Sequence, residues 1–257
     1  MNPRLVDQIA LVTGATAGIG REIAHVFATE GAHVAVTGRN ARRGHDVVEE
    51  IRADGATAVF RPADLDHEGD VGDLVDWVTE EFGGLTVLVN CAATSDAVDA
   101  AVHDIDSSAW DEILRVDLTA VAWLCRAAIG AMLDAGHGSI VNISSRAAVQ
   151  GIPAHAAYSA AKGGLDSLTR SIAVDYASEN IRCNSIAAGY VLNDRRDRDL
   201  TDERRAQLER RHLTRVGTAR DVANAALFLA CDESDWITGV TLPVDGGSTI
   251  ARAASFG

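Results

Sequence analysis

The sequence predicts an α/β chain built as one doubly wound, seven-stranded parallel sheet with helices on both faces. Three observations carry this expectation. Short apolar runs alternate with amphipathic stretches along almost the whole length. Most of these runs are continuously apolar, as strands buried on both faces require. A glycine loop, Thr13-Gly-Ala-Thr-Ala-Gly-Ile-Gly20, joins the first run to the first amphipathic stretch, where such sheets commonly hold a phosphate group.

Taken in order, residues 9–12 read as the first strand. Residues 21–30 read as a helix, with Ile23, Val26 and Phe27 on one face and Gly31 as its stop. A second strand is expected over 33–36, a helix over 42–54 and a third strand over 57–60. The helix over 69–82 carries Val71, Leu74, Val75 and Val78 at helical spacing, and 87–90 is the fourth strand. A long helix over 110–135 precedes a fifth strand that begins at Ser139 and contains Ile140, Val141 and Ile143. After a turn around Gly151 and Pro153 comes a helix to about residue 180, then a strand over 182–186. The charged segment 193–215 interrupts the alternation, before a helix over 219–230 and a last strand over 241–244. No linker or repeat divides the chain, so residues 1–257 are expected to form one domain, with 193–215 as a lid.

Composition narrows the function. A chain of 257 residues, 47% apolar, can bury a sizeable core. A net charge of −14 argues against a nucleic-acid partner and against an anionic membrane surface. No uninterrupted apolar run approaches the roughly 18 residues that a span needs, so no membrane crossing is expected. The opening residues lack a signal-peptide pattern, and the expectation is a cytoplasmic protein. Cys91, Cys125, Cys183 and Cys231 are widely spaced and are expected to be buried and reduced. The histidines show neither HxxxH nor HExxH, so no metal site is expected.

The chemistry concentrates between Ser139 and Lys162. Tyr158 and Lys162 lie four apart on a predicted helix and so share one face. A free phenol titrates at about 10, too high for a base at neutral pH, and a neighbouring cation favours the phenolate. Lowering that value by about 3 units takes about 4 kcal/mol, of which a lysine one turn away can supply part. The chain has only one lysine among its 23 basic residues and only three tyrosines, so this spacing is more telling than it would be in an ordinary sequence. A surface lysine beside a half-buried tyrosine is the competing reading, and Ser145 upstream argues against it. In the loop below, Gly14, Gly18 and Gly20 follow a GxxxGxG spacing that permits a tight turn and close approach of the backbone to a pyrophosphate. The second strand ends in Thr37-Gly38-Arg39-Asn40. No carboxylate is there to take a ribose 2′-hydroxyl, whereas Arg39 suits a 2′-phosphate, so NADP(H) is favoured and NAD(H) remains open. Asp64, after the third strand, is placed to cap the adenine edge.

With these motifs on the page, the chain resembles the short-chain dehydrogenase/reductase family over essentially its whole length. The resemblance rests on TGATAGIG at 13–20, NCAA at 90–93, the Ser145, Tyr158 and Lys162 set, RCNSIAAGYV at 182–191 and ITGVTLPVDGG at 237–247. It implies Tyr158 as acid/base, Lys162 as holder of the nicotinamide ribose and depressor of the phenol, and Ser145 as polariser of the substrate carbonyl. It further implies cofactor contacts from Gly14, Thr16, Gly18, Ile19, Gly20, Leu65, Asn90, Ala92, Gly189, Val191 and Asn193. The substrate pocket is expected to take in Val149, Gly151, His155 and Tyr190. A homotetramer is also implied, built on two long helices and the C-terminal region, with Trp123, Leu124, Ala127, Ala128 and Ala131 on one of those helices. Four positions depart from the family's pattern. Ala93 replaces a glycine, Asp117 an asparagine that holds a kink in the long helix, Ala188 a proline, and Asn193 a threonine. The implied activity is hydride transfer between a nicotinamide and a secondary alcohol or ketone, with a small-molecule substrate. The eight arginines within 194–215 suggest a second reading, reduction of a 3-oxoacyl group on an acyl-carrier protein; a solvated, ion-paired helix is the plain alternative for that segment. A third reading, a cofactor-binding regulator with weak catalysis, is motivated by Asp117 and Ala93.

Overall fold

In the computed structural model, residues 2–94, 98–193 and 197–251 are described. Within them, seven parallel strands run in the order β3-β2-β1-β4-β5-β6-β7. Strand β1 (Ile9–Val12) lies between β2 (His33–Thr37) and β4 (Val87–Asn90). Outside these come β3 (Ala58–Arg61) on one side, and β5 (Gly138–Ser145), β6 (Ile181–Ala188) and β7 (Thr241–Val244) on the other. The order reverses between β1 and β4. The connections leave in opposite directions there, opening a crevice at the carboxyl ends of the strands.

The helices cover both faces. On one side, α1 (Gly18–Thr29), α2 (Ala41–Ala53) and α8 (Ala219–Ala230) bury Phe27, Val48 and Leu227 against Val34 and Val141. On the other, α3 (Glu68–Phe82), α5 (Ala120–Ala135) and α6 (Ala156–Tyr176) bury Leu74, Leu124 and Leu165 against Leu88 and Ile140. Each such side chain contributes about 1.5–3 kcal/mol by leaving water, which is why the strands tolerate no polar face.

Several boundaries differ from expectation, and the differences bear on the site. Helix α1 begins at Gly18, inside the glycine loop, so its unpaired N–H groups face the crevice. Strand β5 extends to Ser145, which makes that serine its last residue. The long helix starts at Ser107 and has three parts: α4 (Ser107–Leu114), a π-turn (Arg115–Thr119) and α5. The extra residue in the π-turn swings Asp117 into the interior, where it is fully buried. By length and composition, Ser107–Ala135 is apolar enough to cross a membrane, with a mean hydropathy of 1.5. That qualifies the expectation of no such segment. Its apolarity serves the core: Leu124, Cys125, Ala128 and Met132 are buried within the subunit. Leu124 and Ala128 therefore cannot form a subunit contact. Of the charged segment, α7 (Asp202–Glu209) is helical, capped by the Thr201 side chain, which accepts from the Arg204 amide; residues 194–196 lie outside the described residues. The four cysteines are free thiols, but Cys91 is only partly buried, at the crevice, rather than in the core as expected.

Candidate active site

The crevice holds a cavity of about 1060 Å³. Its floor is made where the β1 and β4 exits touch. Thr13 Oγ1 accepts from the Cys91 and Ala92 amides at 3.0 and 3.1 Å. Gly14 sits at φ +65°, and a Cβ there would come within 2.8 Å of the Ala92 backbone, so this approach needs glycine. Gly189, at the β6 exit, is equally constrained: a Cβ would lie 2.6 Å from Asp245 Cα. The glycine loop, the N-terminus of α1 and these close approaches form a cradle that fits a dinucleotide pyrophosphate.

The residues expected to hold the cofactor converge here. Gly14, Thr16, Gly18, Ile19, Gly20, Arg39, Asp64, Leu65, Ala92, Gly189, Val191 and Asn193 all line the cavity. Asn90 does not. Its side chain is buried below the floor, donating to Asn142 Oδ1 at 2.8 Å and so tying β4 to β5. One residue that sequence reasoning passed over joins the adenosine end. Arg43, on the first turn of α2, lines the cavity, and its buried Nε has no hydrogen-bond partner among the described residues. A basic residue four beyond Arg39, on a helix capped by Asn40, was the available signal.

Ser145, Tyr158 and Lys162 line the middle of the cavity together. Strand β5 delivers Ser145, whose Oγ accepts from the Ala147 amide at 3.1 Å. Helix α6 delivers the other two, one turn apart. Its N-terminus is fixed by Asp99, which accepts from the Ala157 and Tyr158 amides at 3.2 and 2.9 Å. A carboxylate is favourable at that end of a helix. Asp99 comes from a loop far upstream, and nothing local in the sequence marked it.

Lys162 is almost fully buried. Its Nζ donates to the Ile143 carbonyl at 3.2 Å, lies 3.7 Å from Asp117 Oδ2, and is 5.5 Å from the centre of the Tyr158 ring. Burial alone would push the ammonium down, but Asp117 and then Tyr158 act in the other direction, and the net direction is up. Lys162 therefore presents a permanent positive charge beside the phenol. Asp117 does not line the cavity; it stands behind Lys162. Its Oδ1 accepts from the Thr94 amide and hydroxyl at 2.7 and 3.1 Å, while its Oδ2 has no hydrogen bond among the described residues. It is a positioning residue, not one that reaches the reacting atoms. The Cys91 thiol, also at the cavity, is pushed by burial up to about 12, with Lys162 opposing, which rules it out as a nucleophile at neutral pH.

At the far end, His155 and Tyr190 line the cavity as expected, whereas Gly151 and Val149 do not. Val149 is 65% exposed, because the turn after Ser145 folds these two residues outward. The Tyr190 hydroxyl donates to Asp197 Oδ1 at 2.6 Å, and the Asn193 amide donates to Asp197 Oδ2 at 2.8 Å. Asp197, at the start of the lid, is thereby tied to the β6 exit. Of the lid arginines, Arg204 and Arg211 reach the cavity, and so does Arg146, which follows Ser145 and was not anticipated.

Known proteins resemble this chain over most of its length. A family profile described as enoyl-(acyl carrier protein) reductase matches residues 14–249. The chain is 38% identical over 249 residues to the cis-4-hydroxycyclohexanecarboxylate dehydrogenase of Sinomonas cyclohexanicum, covering 97% of this chain and 99% of the relative. It is 35% identical over 250 residues to a 3-oxoacyl-(acyl-carrier-protein) reductase of Chlamydia pneumoniae, covering 97% and 100% respectively. The solved structure of a short-chain type dehydrogenase/reductase from Mycobacterium ulcerans superposes with a TM-score of 0.92 at 30% identity, covering 97% of this chain and 92% of that one.

Proposed function

The chain belongs to the short-chain dehydrogenase/reductase family, an oxidoreductase family acting on alcohol and ketone groups of small molecules, and from that premise we propose an NADP(H)-preferring enzyme in which Tyr158 moves the proton. The observation that carries this is the shared cavity wall of Ser145, Tyr158 and buried Lys162. The nicotinamide, when bound, supplies or accepts the hydride. The chain's own residues do the rest. The Tyr158 hydroxyl gives a proton to the carbonyl oxygen in reduction and takes one from the alcohol in oxidation. Ser145 Oγ donates to the same oxygen and steadies the charge that builds there. Lys162 lowers the cost of the phenolate by standing 5.5 Å from its ring. NADP(H) preference is supported by Arg39 and by the orphaned Nε of Arg43 at the adenosine end, donors that suit a 2′-phosphate.

The test is nicotinamide absorbance with a panel of secondary alcohols and ketones, starting with cis-4-hydroxycyclohexanecarboxylate, the substrate in the name of one relative. Tyr158→Phe should lower turnover by at least a thousandfold yet leave cofactor binding within about twofold, since only the hydroxyl is lost. Full activity in that variant would end the assignment of the proton to Tyr158. A second reading, 3-oxoacyl reduction on a carrier protein, draws on the name of the Chlamydia relative and is tested by including a 3-oxoacyl thioester in the panel. We also propose a single cytoplasmic domain over residues 1–257 that assembles as a homotetramer. Support for assembly comes from Trp123, Ala127 and Ala131, which stay only partly buried on α5, and from Val174 and Trp236, 81% and 95% exposed.

A further inference from the structure

The cavity is cationic on an acidic protein. Five arginines and Lys162 line it against two acids, Asp64 and Glu112, in a chain of net charge −14. The proposed function uses Arg39 and Arg43 at the adenosine end. Arg146, Arg204 and Arg211 are left over, and they sit at the substrate end.

Their placement is specific. Arg204, Leu208 and Arg211 are spaced by four and three residues, so α7 and the turn after it turn one Arg-Leu-Arg stripe inward. All the lid's described arginines are exposed, but only Arg204 and Arg211 also line the cavity, and Arg215 is bound to Asp221 by two contacts of 2.7 Å outside it. Across from the stripe, Arg146 is the residue after Ser145 and is half-buried. Among the described residues, its side chain donates to Gln150 Oε1 at 3.4 Å and that of Arg204 to Gln207 Oε1 at 3.2 Å, with no other side-chain hydrogen bond to either. Among the described residues, none of the three arginines has a carboxylate within ion-pair distance. Burial pushes the Arg146 guanidinium down and Arg211 adds repulsion, with Asp245 opposing them. Asp245 is already engaged by the Gly247 and Thr249 amides and two hydroxyls. Two cations that repel across a cavity, with no ion-paired carboxylate among the described residues, suit an oxyanion.

We propose that the substrate is a hydroxy or oxo acid whose anionic group is held by Arg146 and Arg211, with Arg204 nearer the lid surface. This rests on the oxidoreductase reading for the reacting carbonyl, which meets Ser145 and Tyr158, while the oxyanion meets Arg146 one residue further along the chain. A carboxylate, sulfonate or phosphate would share this recognition; planar carboxylates suit the guanidinium fork best.

The test is equilibrium binding to the NADPH-saturated protein, followed by calorimetry, with cyclohexanecarboxylate and cyclohexanecarboxamide as a charged and a neutral probe of the same shape. The acid should bind at least tenfold more tightly. Arg146→Met and Arg211→Met should each cut that ratio at least threefold, and the double variant should bring it close to one. Because Arg211 is exposed, its replacement does not threaten the fold. Methanesulfonate and inorganic phosphate, run as competitors, separate the oxyanion classes. A ratio near one in the wild type, or a ratio unchanged in both single variants, would overturn the proposal. Turnover of neutral ketones or thioesters with no preference for the acid would also sink it while leaving the oxidoreductase reading intact. Acid-selective binding without turnover of 4-oxocyclohexanecarboxylate would do the reverse.

Discussion

Replacing Asp117 by asparagine isolates the charge behind the catalytic lysine. Contacts of 3.7 Å from Asp117 to Lys162 and 5.5 Å from Lys162 to the Tyr158 ring place the carboxylate within about 9 Å of the phenol. At an effective dielectric of about 20, two unit charges at that separation interact by about 1.8 kcal/mol, equivalent to about 1.3 pH units. The sign follows directly. A carboxylate disfavours the phenolate, so its removal lowers the apparent pKa of Tyr158. The rising limb of kcat/KM for alcohol oxidation should therefore move to lower pH by about one unit in Asp117→Asn. The same change leaves a buried ammonium with only the Ile143 carbonyl as a close acceptor. Removing one partner of a buried pair costs about 3 kcal/mol, which in a chain of this size lowers Tm by about 6–12 °C. The pH profile and the thermal midpoint are independent readouts. A destabilised variant with an unmoved profile would mean that Asp117 only supports the helix. A profile moved to higher pH would refute the electrostatic reasoning outright.

Other perturbations separate the remaining roles. Arg39→Ala and Arg43→Ala should each weaken NADPH about tenfold, or about 1.4 kcal/mol, while moving NADH less than twofold; equal losses for both cofactors, measured by fluorescence titration, would make them loop cations. Introducing aspartate at Gly38 is the less clean test, because its Cβ would fall 2.8 Å from Thr16 Cγ2. Asp221→Ala should cost about 1 kcal/mol, since it removes the α8 capping box; the exposed Arg215 pair adds little once screened. The Arg215 contact and the Thr218 bonds hold the Asp221 carboxyl below its usual range, so its stabilisation is present above about pH 4 and fades as the pH falls below that, an acid limb that should flatten in the variant. Light scattering should give four times 27.0 kDa; a stable monomer at micromolar concentration would remove the proposed assembly.

The sheet was legible because its signals are local. Continuous apolar runs and a glycine loop need no knowledge of distant residues, and the strands fell within two residues of their expected ends. The catalytic set was legible because Tyr158 and Lys162 are on one helix at a fixed spacing. What was not legible depends on distant loops meeting. Asp99 caps α6 from 58 residues away, and Asn90 turns under the floor because Asn142 on β5 offers it an acceptor. The π-turn was equally silent, since an extra residue in a helix leaves the apolar pattern nearly unchanged. Gly151 and Val149 were misplaced because the turn after Ser145 carries no periodicity from which to read direction, and the same gap hid Arg146.

The cavity is lined by five arginines and the chain's single lysine, and the two cations differ in what they suit. At the ends of the cavity the proposed ligands carry an anion, and a flat guanidinium can grip one with two parallel donors without ever losing charge. At position 162 the requirement is opposite. The cation sits 3.2 Å from the Ile143 carbonyl, 3.7 Å from Asp117 and 5.5 Å from the centre of the Tyr158 ring, in a space with almost no exposure. A compact ammonium can donate to a carbonyl there and stand beside a carboxylate while keeping a point charge near the phenol. A guanidinium would spread its charge over a plane and need room that the packed wall between β5 and α6 does not leave. The single lysine thus suits the proposed proton transfer, and the cavity arginines suit the charged ligands proposed for its two ends.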